Sequence, residues 1–258
     1  MKYFELQNNT IFGYSDLTVR PFTVFNSDSE SLFAESLKTQ PEDWIYRTKK
    51  IIYERNEFGH RAVPLHSLPD DFILTTGCSF TEGIGLATED IFPTLVANAY
   101  GIGCYNLALA SSGPDLIYEN LMLWFRNIKK NPKYVIIQHT FPDRVYIPKN
   151  EGILPLGPWF PRIPKGLLEN SEKSKFEYLV NSNFSEHYFN IMRNMFNLYM
   201  KSLGIPVIEI SPDGFTVAGA HATFRTLDYA RDLKHPGIKS HREIASQVVQ
   251  AIGANSSL

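Results

Sequence analysis

Two short segments far apart in the chain carry the residue types that hydrolysis by a serine requires. Residues 77–83 read GCSFTEG after an apolar run, and residues 232–237 read DLKHPG before the last helical pattern. A nucleophilic serine needs an imidazole to take its proton and a carboxylate to orient that imidazole. Ser79, His235 and Asp232 are of these types, so we predict that they act together.

The spacing within the second segment favours this prediction. Asp232 and His235 stand three residues apart, about one turn, so the carboxylate can reach Nδ1 of the imidazole. That leaves Nε2 free to face Ser79. Pro236 and Gly237 then place His235 at the start of a helix, from which its ring can project over the strand ends.

Short β-prone runs alternate with helical patterns through most of the chain. The predicted strands are residues 72–76, 104–107, 134–139 and 205–210, and the predicted helices are residues 90–99, 114–128, 185–203 and 238–252. This alternation predicts an α/β fold with a mostly parallel sheet covered on both faces. Ligands of such sheets bind beyond the carboxyl ends of the strands. Ser79 and the turns at residues 111–113 and 140–144 follow strands, so we expect them on one rim.

The other segments are predicted to surround one main domain. Residues 1–70 are irregular apart from a helical candidate at residues 29–38, and we interpret them as an N-terminal extension packed on a catalytic domain of residues 71–258. Within that domain, residues 144–180 open with a stretch rich in Pro and Gly, which has too many breakers for a regular core element. We interpret this segment as an insertion that forms a lid or rim.

Composition and charge exclude several classes of protein. The 258 residues have a formal net charge of -2 and 43% hydrophobic residues, typical of a folded protein without a basic surface for nucleic acid. No run of about 18 apolar residues predicts a membrane span, and the first residues lack the apolar stretch of a secretion signal. We therefore expect a soluble, cytoplasmic protein. The sequence does not specify its oligomeric state.

Together, these blocks resemble the SGNH (GDSL-type) hydrolases over roughly residues 50–255. That superfamily contains esterases and lipases on a flavodoxin-like three-layer α/β/α sandwich, so the resemblance implies this fold and an ester substrate, without metal or cofactor. Residues 77–83 match its first block, although Cys78 stands where aspartate is usual. The resemblance therefore gives Ser79 the role of nucleophile.

The second and last blocks of the superfamily also have counterparts. Residues 106–113 resemble the second block, whose glycine donates a backbone N–H to the oxyanion, and Gly113 inherits that role. Residues 232–235 are similar to the last block, Asp-x-x-His. The resemblance thus implies that His235 is the base and that Asp232 orients it.

The third block is where the sequence departs from the superfamily. Residues 139–144 read HTFPDR where the superfamily has Gly-x-Asn-Asp, whose asparagine also donates to the oxyanion. Loss of one such donor costs about 2.7–4 kcal/mol of transition-state stabilisation. Either His139, Thr140 or Arg144 substitutes for the asparagine, or turnover is slow.

These observations predict ester hydrolysis through a Ser–His–Asp triad and an acyl-enzyme. Aromatic residues near the Pro-rich segment suit a wall for a sugar, so carbohydrate O-acetyl groups and other small acyl esters are the favoured substrates. These residues are Phe141, Tyr146, Trp159 and Phe160. Two alternatives use the same scaffold: a binding or structural protein whose catalysis has decayed, and an acyltransferase that passes the acyl group to a sugar hydroxyl.

Other interpretations of the first segment fit less well. Cys78 is a second candidate nucleophile, but a small thiol at a strand end is more typical of packing. Residues 75–81 are faintly similar to a flavin phosphate loop, yet no Gly-Lys-Ser/Thr follows.

His241 lies six residues beyond His235, on a different face of the helix, which argues against a metal pair.

Overall fold

The computed structural model describes residues 4–23, 27–149, 152–159, 170–181 and 184–255. Its strands are β1 (Phe4–Gln7), β2 (Ile11–Tyr14), β3 (Phe72–Thr76), β4 (Gly103–Asn106), β5 (Tyr134–Gln138), β6 (Val145–Lys149), β7 (Gly152–Leu156), β8 (Val207–Pro212) and β9 (Ala222–Phe224). Its helices are α1 (Glu30–Thr39), α2 (Ser79–Glu82), α3 (Phe92–Tyr100), α4 (Pro114–Asn127), α5 (Asn170–Asn181), α6 (Phe184–Leu203) and α7 (Ile238–Asn255). Phe160, a predicted wall residue, and residues 160–169 of the predicted insertion lie outside the described residues.

The main sheet has five parallel strands in the order β4-β3-β5-β8-β9. Numbered within this sheet alone, that is the 2-1-3-4-5 order of doubly wound flavodoxin-like folds. Leu74 and Ile137 pack in one core with α4 and α6, whereas Ile73 and Ile136 pack in another with α3 and α7, because successive strand residues point to opposite faces. The predicted three-layer α/β/α sandwich is confirmed.

A second, antiparallel sheet has the order β2-β1-β7-β6. It joins the N-terminal hairpin to a hairpin that follows β5, through a pairing of Phe4 with Ile153. The prediction that Pro and Gly exclude regular structure was therefore wrong for β6 and β7. Pro148 is tolerated because β6 is an edge strand, and Pro155 lies beyond the paired part of β7 and β1.

The helix predicted at residues 90–99 starts later in the structure than the sequence indicates. The sequence favours Asp90 as its cap, but α3 begins at Phe92, with Pro93 in its first turn. Asp90 lies in a 3-10 turn and pairs with Lys49 at 2.7 Å. The helix end is as predicted, because Gly101 adopts φ +63° there, a conformation that glycine reaches without a Cβ penalty.

His60 and His241 are buried in the cores. His60 is 0% exposed and contacts the hydroxyl of Tyr105 and the carbonyl of Phe12. His241 accepts the backbone N–H of Phe92 at 3.0 Å. Burial, which disfavours the charged imidazolium, lowers the pKa of His60 to about 4 and that of His241 to about 3. Both rings therefore stay neutral where an exposed histidine would take up a proton.

We expect the free energy of unfolding to fall as the pH is lowered from 6.5 toward 4, since the unfolded chain then binds protons that the buried rings refuse. Urea titrations at several pH values and constant ionic strength measure this dependence. His241→Asn should flatten it, whereas His187→Asn, at an exposed position of α6, should leave it as in the wild type. Equal slopes for wild type and His241→Asn would contradict the assignment.

Candidate active site

The turn after β3 fixes Ser79 at the carboxyl edge of the main sheet. β3 ends at Thr76, and Ser79 is the first residue of α2. At Gly77 an added Cβ would lie 2.3 Å from Thr81 Oγ1 and 3.0 Å from the carbonyl oxygen of Gln138, so any side chain would push β3 away from β5. The glycine thus permits the tight strand-to-helix turn that brings Ser79 to the rim.

Asp232 and His235 form the pair that their spacing predicts. His235 Nδ1 lies 2.5 Å from Asp232 Oδ2, and Asp232 Oδ1 accepts the N–H groups of His235 at 3.0 Å and Lys234 at 3.1 Å. Leu233 between them has φ +56°, an unusual conformation for a bulky residue. The turn therefore closes around the Asp232 carboxylate, which holds Nδ1 of His235.

The environment of Asp232 favours its ionised form. Burial alone would raise the pKa of its carboxyl, but the hydrogen bond and charge of His235 and two backbone N–H groups lower the pKa below its usual value. An ionised Asp232 can hold one tautomer of His235 and stabilise the imidazolium that forms when the ring takes a proton.

Ser79 and His235 line the same pocket, of about 220 Å³. The phenyl ring of Phe80 packs edge-on against the His235 imidazole, with ring centres 5.9 Å apart. The other lining residues come from three separate segments: Ser27, Ala110 with Ser111, and Pro155 with Trp159. The structure therefore brings the three predicted residues together, since Asp232 bonds to one of the two that line the pocket.

The loop after β4 places Ser111, rather than Gly113, in this pocket. Ser111 has φ +70°. Gly113 precedes α4, and an added Cβ there would lie 2.3 Å from the carbonyl oxygen of Arg144 and 2.6 Å from Asp115 Oδ1. Gly113 is thus required by close packing, and its role as an oxyanion donor stays a prediction. The sequence places the turn of residues 111–113 on this rim, but it carries no signal that Ser111, with its positive φ, is the residue that enters the pocket.

The three residues predicted to replace the third-block asparagine occupy different environments. His139 is buried, and its Nε2 lies 3.1 Å from Glu209 Oε1, so the ring belongs to the core. Thr140 is 1% exposed, and its hydroxyl has no partner among the described residues. The Arg144 guanidinium lies 5.3 Å from the ring centre of Trp159, which makes it the one of the three in contact with a pocket residue.

Glu209 explains why His139 is held in the core. Arg193 of α6 donates two hydrogen bonds of 2.6 Å to the Glu209 carboxylate, which also contacts His139. Burial raises the pKa of Glu209, but these partners outweigh it and lower that pKa to about 2. Burial also lowers the pKa of His139. This ion pair fastens α6 to β8, a structural role that the sequence did not reveal.

A buried carboxylate ties the helix that begins at Ser79 to the loop after β4. Glu82, the last residue of α2, is 0% exposed. Its Oε2 accepts the hydroxyl of Tyr14 at 2.8 Å and the N–H of Ala110 at 2.7 Å, and its Oε1 lies 3.2 Å from the Arg55 guanidinium. One side chain thus joins the helix that begins at Ser79, the residue before Ser111 and the N-terminal hairpin.

A second buried ion pair braces the turn that carries Asp232. Asp28 accepts from the Arg231 guanidinium at 2.7 and 3.0 Å, and it also accepts the Tyr53 hydroxyl at 2.6 Å. The Tyr53 oxygen in turn accepts the N–H of Gly85 at 2.6 Å. Asp28 and Tyr53, both in the N-terminal part of the chain, therefore contact the residue before Asp232 and the segment after Ser79.

No group of three or more His, Cys, Asp or Glu side chains among the described residues is arranged to hold a metal ion. No helix there combines the length and apolar character needed to cross a membrane.

Comparison with known proteins gives structural likeness alone. No protein-family profile and no curated protein matches the chain. Similar solved structures include a carbohydrate esterase family 2 enzyme from Corynascus thermopiles (15% identity, 76% of this chain and 69% of that chain, TM-score 0.45). They also include the esterase EstA from a Pseudoalteromonas species (14% identity, 72% of this chain and 99% of that chain, TM-score 0.40). A third is a lipolytic G-D-S-L protein from Veillonella parvula (11% identity, 70% of this chain and 97% of that chain, TM-score 0.34). Similarity at this level carries no weight for the reaction.

We expect Glu82→Gln to lower the free energy of unfolding by about 3–5 kcal/mol, because it leaves the buried Arg55 guanidinium without a counter-charge. Glu89→Gln is the matched control, since Glu89 pairs with Lys49 at the surface with its side chain 66% exposed and should cost about 1 kcal/mol or less. Urea unfolding at neutral pH measures both. Equal stability of the two variants would show that the Glu82 pair does not brace the fold.

Proposed function

We propose that the chain is a serine esterase of the SGNH type that cleaves esters of short acyl groups. The observation that carries this proposal is the 2.5 Å contact between Asp232 and His235, with His235 and Ser79 lining one pocket. A carboxylate-bound imidazole beside a serine at a strand end is the arrangement that activates a hydroxyl for attack on a carbonyl carbon.

In the proposed cycle, Ser79 Oγ attacks the ester carbonyl while His235 Nε2 takes the hydroxyl proton. Asp232 stabilises the imidazolium that results. The tetrahedral intermediate collapses as His235 returns the proton to the departing alcohol oxygen, which leaves an acyl group on Ser79. Water then attacks this acyl-enzyme with His235 again as base, and the carboxylic acid and free Ser79 are released.

The oxyanion would be held by backbone N–H groups at the rim. Ser79 begins α2, so its N–H is among those that no intrahelical acceptor satisfies. The second donor would come from the loop after β4. Ser111 is favoured over the predicted Gly113 as this donor because Ser111 lines the pocket. Arg144, whose guanidinium lies against the Trp159 ring, would stabilise the negative charge of the oxyanion in place of the absent asparagine.

The size of the pocket favours a small acyl group. A volume of about 220 Å³ lies below the usual range of about 300–1,000 Å³ for sites that enclose a whole ligand. Pro155 of β7 and Trp159 of the turn that follows β7 line one side, so the alcohol part of the ester must extend outward. Trp159, with Phe141 near Arg144, offers aromatic surface for a sugar, which supports carbohydrate O-acetyl groups as the substrates.

We expect a fluorophosphonate probe to label the wild type and not Ser79→Ala, because the probe reacts with an activated serine hydroxyl. Ser111→Ala is the control: it removes a hydroxyl from the same pocket but retains the backbone N–H, so labelling should persist. In-gel fluorescence and mass spectrometry of the labelled peptide measure the result. Equal labelling of wild type and Ser79→Ala would exclude Ser79 as the nucleophile.

We expect Asp232→Asn to lower kcat for p-nitrophenyl acetate by about 10³–10⁴-fold while KM stays within a few-fold, because the amide no longer orients or stabilises the imidazolium. Lys234→Ala, in the same turn, is the control and should retain activity. The wild type should also prefer the acetate to the octanoate ester. An active Asp232→Asn enzyme would contradict the proposed triad, and product analysis with added sugar would reveal acyl transfer instead of hydrolysis.

A further inference from the structure

A cleft of about 530 Å³ lies between α4 and α6 and shares no lining residue with the pocket at Ser79. Four tyrosines line it, with Phe196 and three methionines. Tyr118 and Phe196 form one wall, with ring centres 5.6 Å apart. Tyr188 of α6 is 45% exposed with one ring face stacked on Phe184, so its other face is available to a ligand. The proposed ester hydrolysis uses none of these residues.

The charged groups of the cleft are both acidic. They are Asp115 and Glu119 of α4, and no Lys or Arg of the described chain lines the cleft. Burial raises the pKa of Asp115 to about 7, and the second carboxylate of the cleft is that of Glu119. A fully apolar ligand, such as a long acyl chain, would have to desolvate this carboxylate without compensation. An anionic ligand would be repelled.

Three of the four carboxylate oxygens of the cleft already accept a hydrogen bond from the protein. The two oxygens of Asp115 accept the N–H groups of Leu116 and Tyr146, each at 2.8 Å. Glu119 accepts the hydroxyl of Tyr146. A primary ammonium brings three donors that each need an acceptor, whereas a quaternary ammonium brings none. Aromatic faces attract such a cation through the ring quadrupole, and more strongly when it is desolvated.

We propose that the cleft between α4 and α6 binds a quaternary ammonium group, held by the faces of Tyr118, Tyr146, Tyr188 and Tyr199 and by the charge of Glu119. The methionine side chains contact the apolar substituents of the cation, for which their flexible thioethers are suited. The ligand's positive charge lies at the Glu119 end of the cleft. At the other end, Arg144 lines an adjoining recess of about 210 Å³ that also contains Asp115 and Tyr188, and its guanidinium would repel a cation.

The test is isothermal titration calorimetry with choline and with 3,3-dimethyl-1-butanol, its neutral isostere, which has carbon in place of nitrogen. Ser79→Ala protein is used, so that the readout is binding alone and does not depend on the proposed esterase activity. We expect choline to bind and the isostere to bind at least tenfold more weakly, because only the cation is attracted by the rings and by Glu119.

Variants test whether choline binds in this cleft and whether the ring or the hydroxyl of Tyr188 contributes to binding. Glu119→Gln and Tyr188→Ala should each weaken choline binding about fivefold or more, whereas Tyr188→Phe should retain it because the ring face remains. Glu35→Gln on α1 and Tyr178→Ala on α5, both at exposed positions, are the matched controls and should bind as the parent does. Circular dichroism establishes that each variant is folded.

Any of four outcomes would overturn the proposal. The first is absence of choline binding by folded protein. The second is equal binding of the neutral isostere, which would make the cleft a purely apolar site. The third is stronger binding of ethanolamine than of choline, which would indicate a hydrogen-bonded primary ammonium. Loss of binding in the control variants to the same extent as in Glu119→Gln would place the cation elsewhere.

Discussion

Glu82 places a carboxylate in the protein interior, where a charge left without partners would cost several kcal/mol. Its three partners come from three distant parts of the chain: the hairpin of β1 and β2, the segment around Arg55 and the loop at Ala110. Each is needed because a buried ion pair stabilises only when its remaining hydrogen-bonding positions are satisfied. The short helix α2 is therefore fixed at its C-terminal end, and Ser79 at its first residue inherits that rigidity.

The main sheet could be predicted because its elements carry local signals. β3 and β5 are continuous apolar runs, as expected for strands buried on both faces, and Gly101 and Pro114 mark helix boundaries in the usual way. β9 has three residues and pairs with β8 alone, too short for any periodicity to appear. β6 and β7 were missed for a different reason: proline is permitted by the edge position and partial pairing of these strands, which depend on tertiary structure.

The candidate site was predictable to the extent that its chemistry is local. Asp232 and His235 interact within a single turn, so their spacing predicts their contact. The buried partners of Glu82 and Arg231 depend on contacts between distant segments, and the sequence carries no local signal for them. Arg231 in particular is indistinguishable in sequence from a surface arginine, yet it is 4% exposed and bonded to Asp28.

The distances along the chain between Ser79, Asp232 and His235 bear on when activity can arise during synthesis. Synthesis on the ribosome proceeds from the N-terminus, and a domain generally folds as a unit, so β3 and Ser79 emerge while the turn at Asp232 is still untranslated. Under the proposed chemistry, a nascent chain that stalls before this turn carries a serine with no base to deprotonate it. The proposed hydrolysis would therefore require that the turn carrying Asp232 and His235 has been added.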